Sequence, residues 1–133
     1  MTIELTLLAC TLLLALFQIM LTAALRTRET GTDYNTGPRD TEGPPVGVLT
    51  GRMQRAQKNL FETLPLFIAA VLIVAIAQRE STLSLLGCWM YLLARIAYLP
   101  LYAAGVPVVR SLTWLVSVAG LLLVIAATFF TPA

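Results

Sequence analysis

The sequence predicts an all-α integral membrane protein, a bundle of four transmembrane helices. Two compositional observations carry this. Of the 133 residues 58% are hydrophobic and only 12% are charged, against about 25% charged in ordinary soluble domains. The mean hydropathy is +0.82. The third observation is spacing: four apolar stretches recur, each near the ~20 residues that a helix needs to cross ~30 Å of hydrocarbon. In lipid such segments must satisfy their own backbone hydrogen bonds, which makes helices the expected form. Residues 1–133 read as one domain, with spans at about 3–25, 55–77, 82–104 and 108–130.

The first span is broken only by Glu4, Gln18 and a few threonines. It begins "MTIEL", without a positive leader segment, and outruns the ~7–15 residues of a signal-peptide core; a retained span is expected. The polar segment after it, "RTRETGTDYNTGPRDTEGPPVGVLTG", carries turn signals at Gly37-Pro38 and Gly43-Pro44-Pro45. A loop of that length is expected to be either functional or disordered. The other connections, "QREST" and "AGVP", are short. Cys10 and Cys88 fall inside apolar spans without metal-like spacing and read as small buried hydrophobes.

A net charge of +2 argues against a nucleic-acid binder. The distribution of charge says more. Eight cations, from Arg26 to Arg110, belong to the end of the bundle that holds the first and third loops, and Arg79 alone to the other. By the positive-inside rule those two loops face the cytoplasm, with both termini outside, and the expected location is the cytoplasmic (inner) membrane.

Polar residues also enter the spans. Arg52, Arg55, Asn59 and Glu62 are spaced three, four and three and share one helix face. Lys58 stands four residues before Glu62, and Pro65 follows, where it removes a backbone donor and predicts a kink. On the third span Tyr91, Arg95, Tyr98 and Tyr102 form a second stripe. A charge at the centre of a transmembrane helix costs about 2.5–3.5 kcal/mol, and such residues usually face a bundle interior and mark ligand or ion paths. The alternatives are arginine topology anchors with a tyrosine belt, or a structural ion pair of Glu62 with Arg95 or Arg55.

The segment "RMQRAQKNLFETLPLF" resembles the signature of the MAPEG superfamily, the membrane-associated proteins in eicosanoid and glutathione metabolism, and "RIAYLPLYAAGVPVVRS" is similar to the family's third-helix segment. The likeness spans essentially the whole chain. It implies a homotrimer with glutathione as cosubstrate, bound between protomers near the cytoplasmic side, and no metal. Arg26, Arg52, Arg55, Lys58 and Arg95 are the implied partners of its carboxylates, with Glu62 for its ammonium group and Asn59 and Tyr98 beside them. Arg110 and Ser111 match the positions given thiol activation, and Tyr102 is a further donor. Two positions depart from the pattern: Lys58 is often arginine, which alone offers a two-pronged fork, and Tyr98 is histidine in some members.

The expected function is that of a glutathione-dependent transferase or peroxidase acting on a lipophilic electrophile or lipid hydroperoxide drawn from membrane lipid. The alternatives are a non-catalytic lipid- or partner-binding trimer and a small transporter. Polar residues clustered at one end count against transport. Ala69, Ala70 and Gly87 are small enough to allow close helix packing between protomers.

Overall fold

The computed structural model describes residues 1–133, all of whose regular elements are helices. In order they are α1 (Ile3–Thr30), the short α2 (Thr32–Thr36), α3 (Val48–Ile76), α4 (Thr82–Ala104) and α5 (Pro107–Phe130). The four longer helices are each apolar and long enough to cross a membrane.

Local chemistry fixes where they start and stop. The Thr2 hydroxyl accepts the Leu5 amide at the start of α1. Ser81 and Ser84 form a reciprocal capping box on α4. Gly105, at φ 72°, closes α4 in the left-handed region open to glycine, and Pro107 opens α5 where its missing N–H is no loss. Both α3 and α4 carry an internal proline, Pro65 and Pro100, and continue through it.

Two helices run past their apolar stretches. α1 continues to Thr30, and α3 begins at Val48, ahead of the span expected from hydropathy. At 1.5 Å per residue they are ~42 and ~44 Å long, well over the ~30 Å of hydrocarbon. Hydropathy marks the part of a helix that meets lipid, not the helix. The surplus lies at the arginine-rich end.

That end is tied together, so the long connection is built rather than loose. Arg26 forms the chain's one salt bridge, to Glu29 at 3.0 Å, and donates to the carbonyls of Pro44 at 2.7 Å and Glu42 at 3.3 Å. The other Glu29 oxygen accepts from the Gly47 amide at 3.0 Å and the Thr50 hydroxyl at 2.9 Å. Tyr34 donates to the Thr41 carbonyl, and the Asn35 amide to Thr27. Arg26 therefore holds the loop on which α3 starts.

The core lies between all four long helices, with Phe67 and Tyr91 stacked at 4.0 Å between centroids. The Tyr91 hydroxyl meets Thr63 at 2.8 Å, which assigns this tyrosine to the core. α4 and α5 make the closest helix pair. A Cβ on Gly87 would stand 2.5 Å from the Gly120 carbonyl, and one on Gly120 2.6 Å from the Gly87 carbonyl. Gly87 is thus used inside the protomer, against α5, and Ala70 is buried in the core; of the three small residues only Ala69 is exposed. Cys88 is buried as expected, whereas Cys10 is exposed, on the outer side of α1.

The far end is not free of buried charge. Glu4, only 6% exposed, accepts from the Ser84 hydroxyl at 2.7 Å. Arg79 donates to the Thr128 carbonyl at 2.7 Å.

Two outcomes are expected. Gly120→Val overpacks the α4–α5 crossing at a typical cost of about 1–3 kcal/mol, so the melting temperature of detergent-solubilised protein falls, while Ala69→Val leaves it nearly unchanged. Glu29, beyond the apolar part of α1, has its pKa lowered, first by Arg26 and then by Thr50. Its contribution is complete above the ordinary carboxylate range and is lost as pH falls through the lowered pKa. Melting curves taken from neutral to acid pH should therefore decline less in Glu29→Gln than in the parent.

Candidate functional site

A cavity of about 400 Å³ opens between α3, α4 and α5 at the arginine-rich end. Each helix supplies one face at helical spacing. α3 presents Arg55, Lys58, Asn59 and Glu62; α4 presents Tyr98 and Tyr102; α5 presents Arg110, Ser111 and Trp114. The stripes read from the sequence on α3 and α4 thus converge with the start of α5.

Beneath this lining lies Arg95, which is 0% exposed. Its Nη1 donates to Asn59 Oδ1 at 2.7 Å, and its guanidinium carbon lies 4.2 Å from the Tyr98 ring centroid. Because Oδ1 is taken by Arg95, the Asn59 Nδ2 is left as a donor at the cavity wall. No Glu62–Arg95 or Glu62–Arg55 pair forms, since the only salt bridge is Arg26–Glu29. The buried cation rests on an amide and an aromatic face instead. The structural ion pair offered by the sequence is replaced by a cation with no carboxylate bound to it.

Tyr102 is the centre of the opposite wall. Its hydroxyl accepts from Arg55 Nε at 3.1 Å, Arg110 sits over its ring at 4.8 Å, and Tyr98 meets it edge-on at 5.6 Å. Its own O–H proton is uncommitted. Ser111 Oγ donates to the Pro107 carbonyl at 3.1 Å, back into its own helix. A serine so placed offers lone pairs to a ligand and must rotate to donate.

Lys58, Glu62 and Arg110 hydrogen-bond to no other group of the chain. Three cavity cations (Arg55, Lys58, Arg110) face one carboxylate (Glu62), so the lining carries a surplus of two positive charges. Charges held at a partly dry wall act more strongly than in bulk water. A ligand with two acidic groups and one cationic group would find complementary partners, with Arg55 and Arg110 able to take a carboxylate in a fork.

Three predicted residues lie outside this lining. Arg95, expected to hold a carboxylate directly, is sealed beneath it and touches Asn59 and Tyr98 instead. Arg26 and Arg52 lie elsewhere. Arg26 is committed to the first loop, as described. Arg52 donates to the Ala103 carbonyl at 3.0 Å, an acceptor left open because α4 ends at Ala104. With Arg55, Tyr102 and Arg110 it lines a smaller adjoining cavity of about 240 Å³ at the α5 N-terminus, an end whose free amides favour anions. Lys58 and Glu62 also border a cleft of about 530 Å³ on the α1 side of α3, with Thr22, Gln54, Gln57 and Phe61, which contains no arginine. No group of three or more histidine, cysteine or acidic residues gathers to hold a metal.

Trp114 escaped the sequence reading. Its signal was its spacing, four residues after Arg110 on the same helix face, and it packs against the Met53–Ala56–Tyr98 cluster.

The model of the MAPEG family matches residues 6–130. Comparison with curated proteins finds no match.

The Asn59 contact gives a direct test of the layer beneath the cavity. Asn59→Leu strands the Arg95 guanidinium, and losing the partner of a buried donor costs about 1–3 kcal/mol, more when the group is charged. Thermal melts in detergent should show that loss for Asn59→Leu and little or none for Asn59→Asp, which returns an acceptor.

Proposed function

The chain belongs to the MAPEG family, whose members include glutathione transferases and peroxidases as well as proteins with other roles, and from that premise we propose that it is a glutathione-dependent membrane enzyme. The observation that carries the proposal is the cavity itself. Unpartnered Lys58, Glu62 and Arg110 line it together with Arg55, the donor face of Asn59 and the uncommitted proton of Tyr102.

Glutathione has two carboxylates, one ammonium group and a thiol. Arg55 and Lys58 hold the carboxylates, Glu62 takes the ammonium group, and Asn59 Nδ2 donates to a peptide carbonyl. Arg95, buried beneath, acts through Asn59 and Tyr98 and not by contact. The thiol then lies by Arg110, whose positive charge favours the thiolate; a free thiol titrates near pH ~8.5, so a neighbouring cation raises the reactive fraction at neutral pH. Tyr102 O–H is a second stabilising donor, and Ser111 a third once it turns from Pro107.

The thiolate attacks the electrophilic carbon of a lipophilic substrate, forming a C–S bond while the leaving group departs with the electron pair. With a lipid hydroperoxide it attacks the terminal oxygen instead. The O–O bond breaks, the alkoxide takes a proton, and a second glutathione reduces the sulfenic product to disulfide and water. No protein cysteine or metal is required by either route.

Assembly as a homotrimer covers Glu62, which is exposed in the single chain at a depth where a bare charge is costly. The first and third loops face the cytoplasm, where glutathione is available, and both termini lie outside, in keeping with the arginine bias. The lipophilic substrate enters laterally from lipid past Trp114.

Calorimetric titration of the detergent-solubilised protein with glutathione should show saturable binding that is lost in Arg55→Ala/Glu62→Ala. Arg110→Ala should keep binding but lose most turnover with lipophilic electrophiles. Folded parent protein that binds no glutathione would overturn the enzyme reading; binding without turnover on any electrophile or hydroperoxide would favour a non-catalytic trimer.

A further inference from the structure

Four buried side-chain atoms in the chain lack a hydrogen-bond partner, and they belong to only two residues: Nε2 and Oε1 of Gln18, and Nε and Nη2 of Arg95. Gln18 is 1% exposed and Arg95 0%. Buried polar atoms in folded proteins are nearly always paired, so two side chains left open together point to a shared partner.

Two helix registers bring them to one depth. Measured from the Glu4–Ser84 contact, Gln18 lies ~21 Å along α1 and Arg95 ~17 Å along α4 at 1.5 Å per residue. From the Glu29–Thr50 contact at the other end, Gln18 lies ~17 Å down α1, and Asn59, the partner of Arg95, ~14 Å along α3. Both estimates put Gln18 within one helical turn of the guanidinium. The faces agree as well. Glu4, Thr11, Ala15 and Gln18 form the buried stripe of α1, and Ser84, Cys88, Tyr91 and Arg95 that of α4. The Glu4–Ser84 bond pins these stripes face to face.

We infer that an internal water joins Gln18 to Arg95, which makes Gln18 a positioning residue for the cavity. A buried water needs two to four polar partners. Arg95 Nε and Nη2 can only donate to it, while Gln18 offers both an acceptor in Oε1 and a donor in Nε2. The water accepts from the guanidinium and donates to Oε1. It thereby fixes the plane in which Nη1 reaches Asn59 and the guanidinium covers Tyr98. That plane holds Asn59 Nδ2 toward the cavity, so α1 acts on a site that it does not line. The effect on ligand affinity rests on the glutathione reading; the water itself does not.

The test uses the full chain in detergent micelles with arginine labelled at Nε. The Arg95 Nε–H resonance is identified by its loss in Arg95→Lys. It should exchange slowly and show a cross-peak to a long-lived water in the parent protein. In Gln18→Leu that cross-peak should vanish and the resonance should shift. Glutathione binding should weaken about fivefold, the effect expected of one lost hydrogen bond, with affinity largely restored in Gln18→Glu, which keeps an acceptor. A parent protein without the water cross-peak, or a folded Gln18→Leu with an unchanged Arg95 resonance, overturns the inference. Failure of Gln18→Glu to restore affinity in folded protein overturns the positioning role. If the parent binds no glutathione, the glutathione reading falls while the water cross-peak still decides this one.

Discussion

A buried cation without a bound carboxylate organises the binding end of this bundle. Arg95 is fully enclosed, holds Asn59 at 2.7 Å and covers the face of Tyr98. Enclosing an ion is expensive unless its donors are met, so the helices that supply those partners must keep their register. The same contacts orient what the cavity shows to a ligand: Asn59 is turned to present its donor, and Tyr98 is held flat as a wall. Stability and the shape of the cavity wall here rest on one side chain. Glu62, left unpaired by this arrangement, is free for a ligand.

The remaining scaffold serves that register. α1 and α3 extend past the apolar zone and are clamped by Glu29, which takes the Gly47 amide and the Thr50 hydroxyl. At the far end Glu4 and Ser84 align α1 with α4. The Gly87–Gly120 crossing and the short turn at Gly105 set α4 against α5, so that Tyr102 and Arg110 meet across the turn.

Much of this was legible in the sequence because the signals are physical. Apolar length reports the solvent directly, and the spacing of Arg55, Asn59 and Glu62 fixes a shared helix face whatever lies opposite. What lies opposite was not legible. Asn59 rather than Glu62 takes Arg95, a choice set by depth differences of a few ångströms between helices that no single-helix pattern encodes. Arg26 illustrates the same limit, since its position fits a ligand contact but its guanidinium is taken up by loop carbonyls. Gly87 looked suited to contacts between protomers and is spent within one. The helix ends were blurred because α1 and α3 do not stop where hydropathy does. Gln18 and Trp114 gave no charge signal, yet one is buried with its polar atoms unpaired and the other forms a wall.

The bond from Arg55 Nε to Tyr102 is also one of two direct polar ties between α3 and the upper part of α4, the other being Arg52 to the Ala103 carbonyl. A carboxylate gripped side-on, through Nε and one Nη of Arg55, displaces Tyr102, whereas one gripped end-on through both Nη groups leaves the tie intact. Side-on capture is therefore an exchange rather than an addition, in which one bond forms as another is given up. The heat of that mode is a difference between two similar quantities, and it loosens the seam between α3 and α4 as the cleft fills. In that mode the Tyr102 oxygen gives up one donor, while its own O–H, uncommitted before and after, stays available beside the ligand.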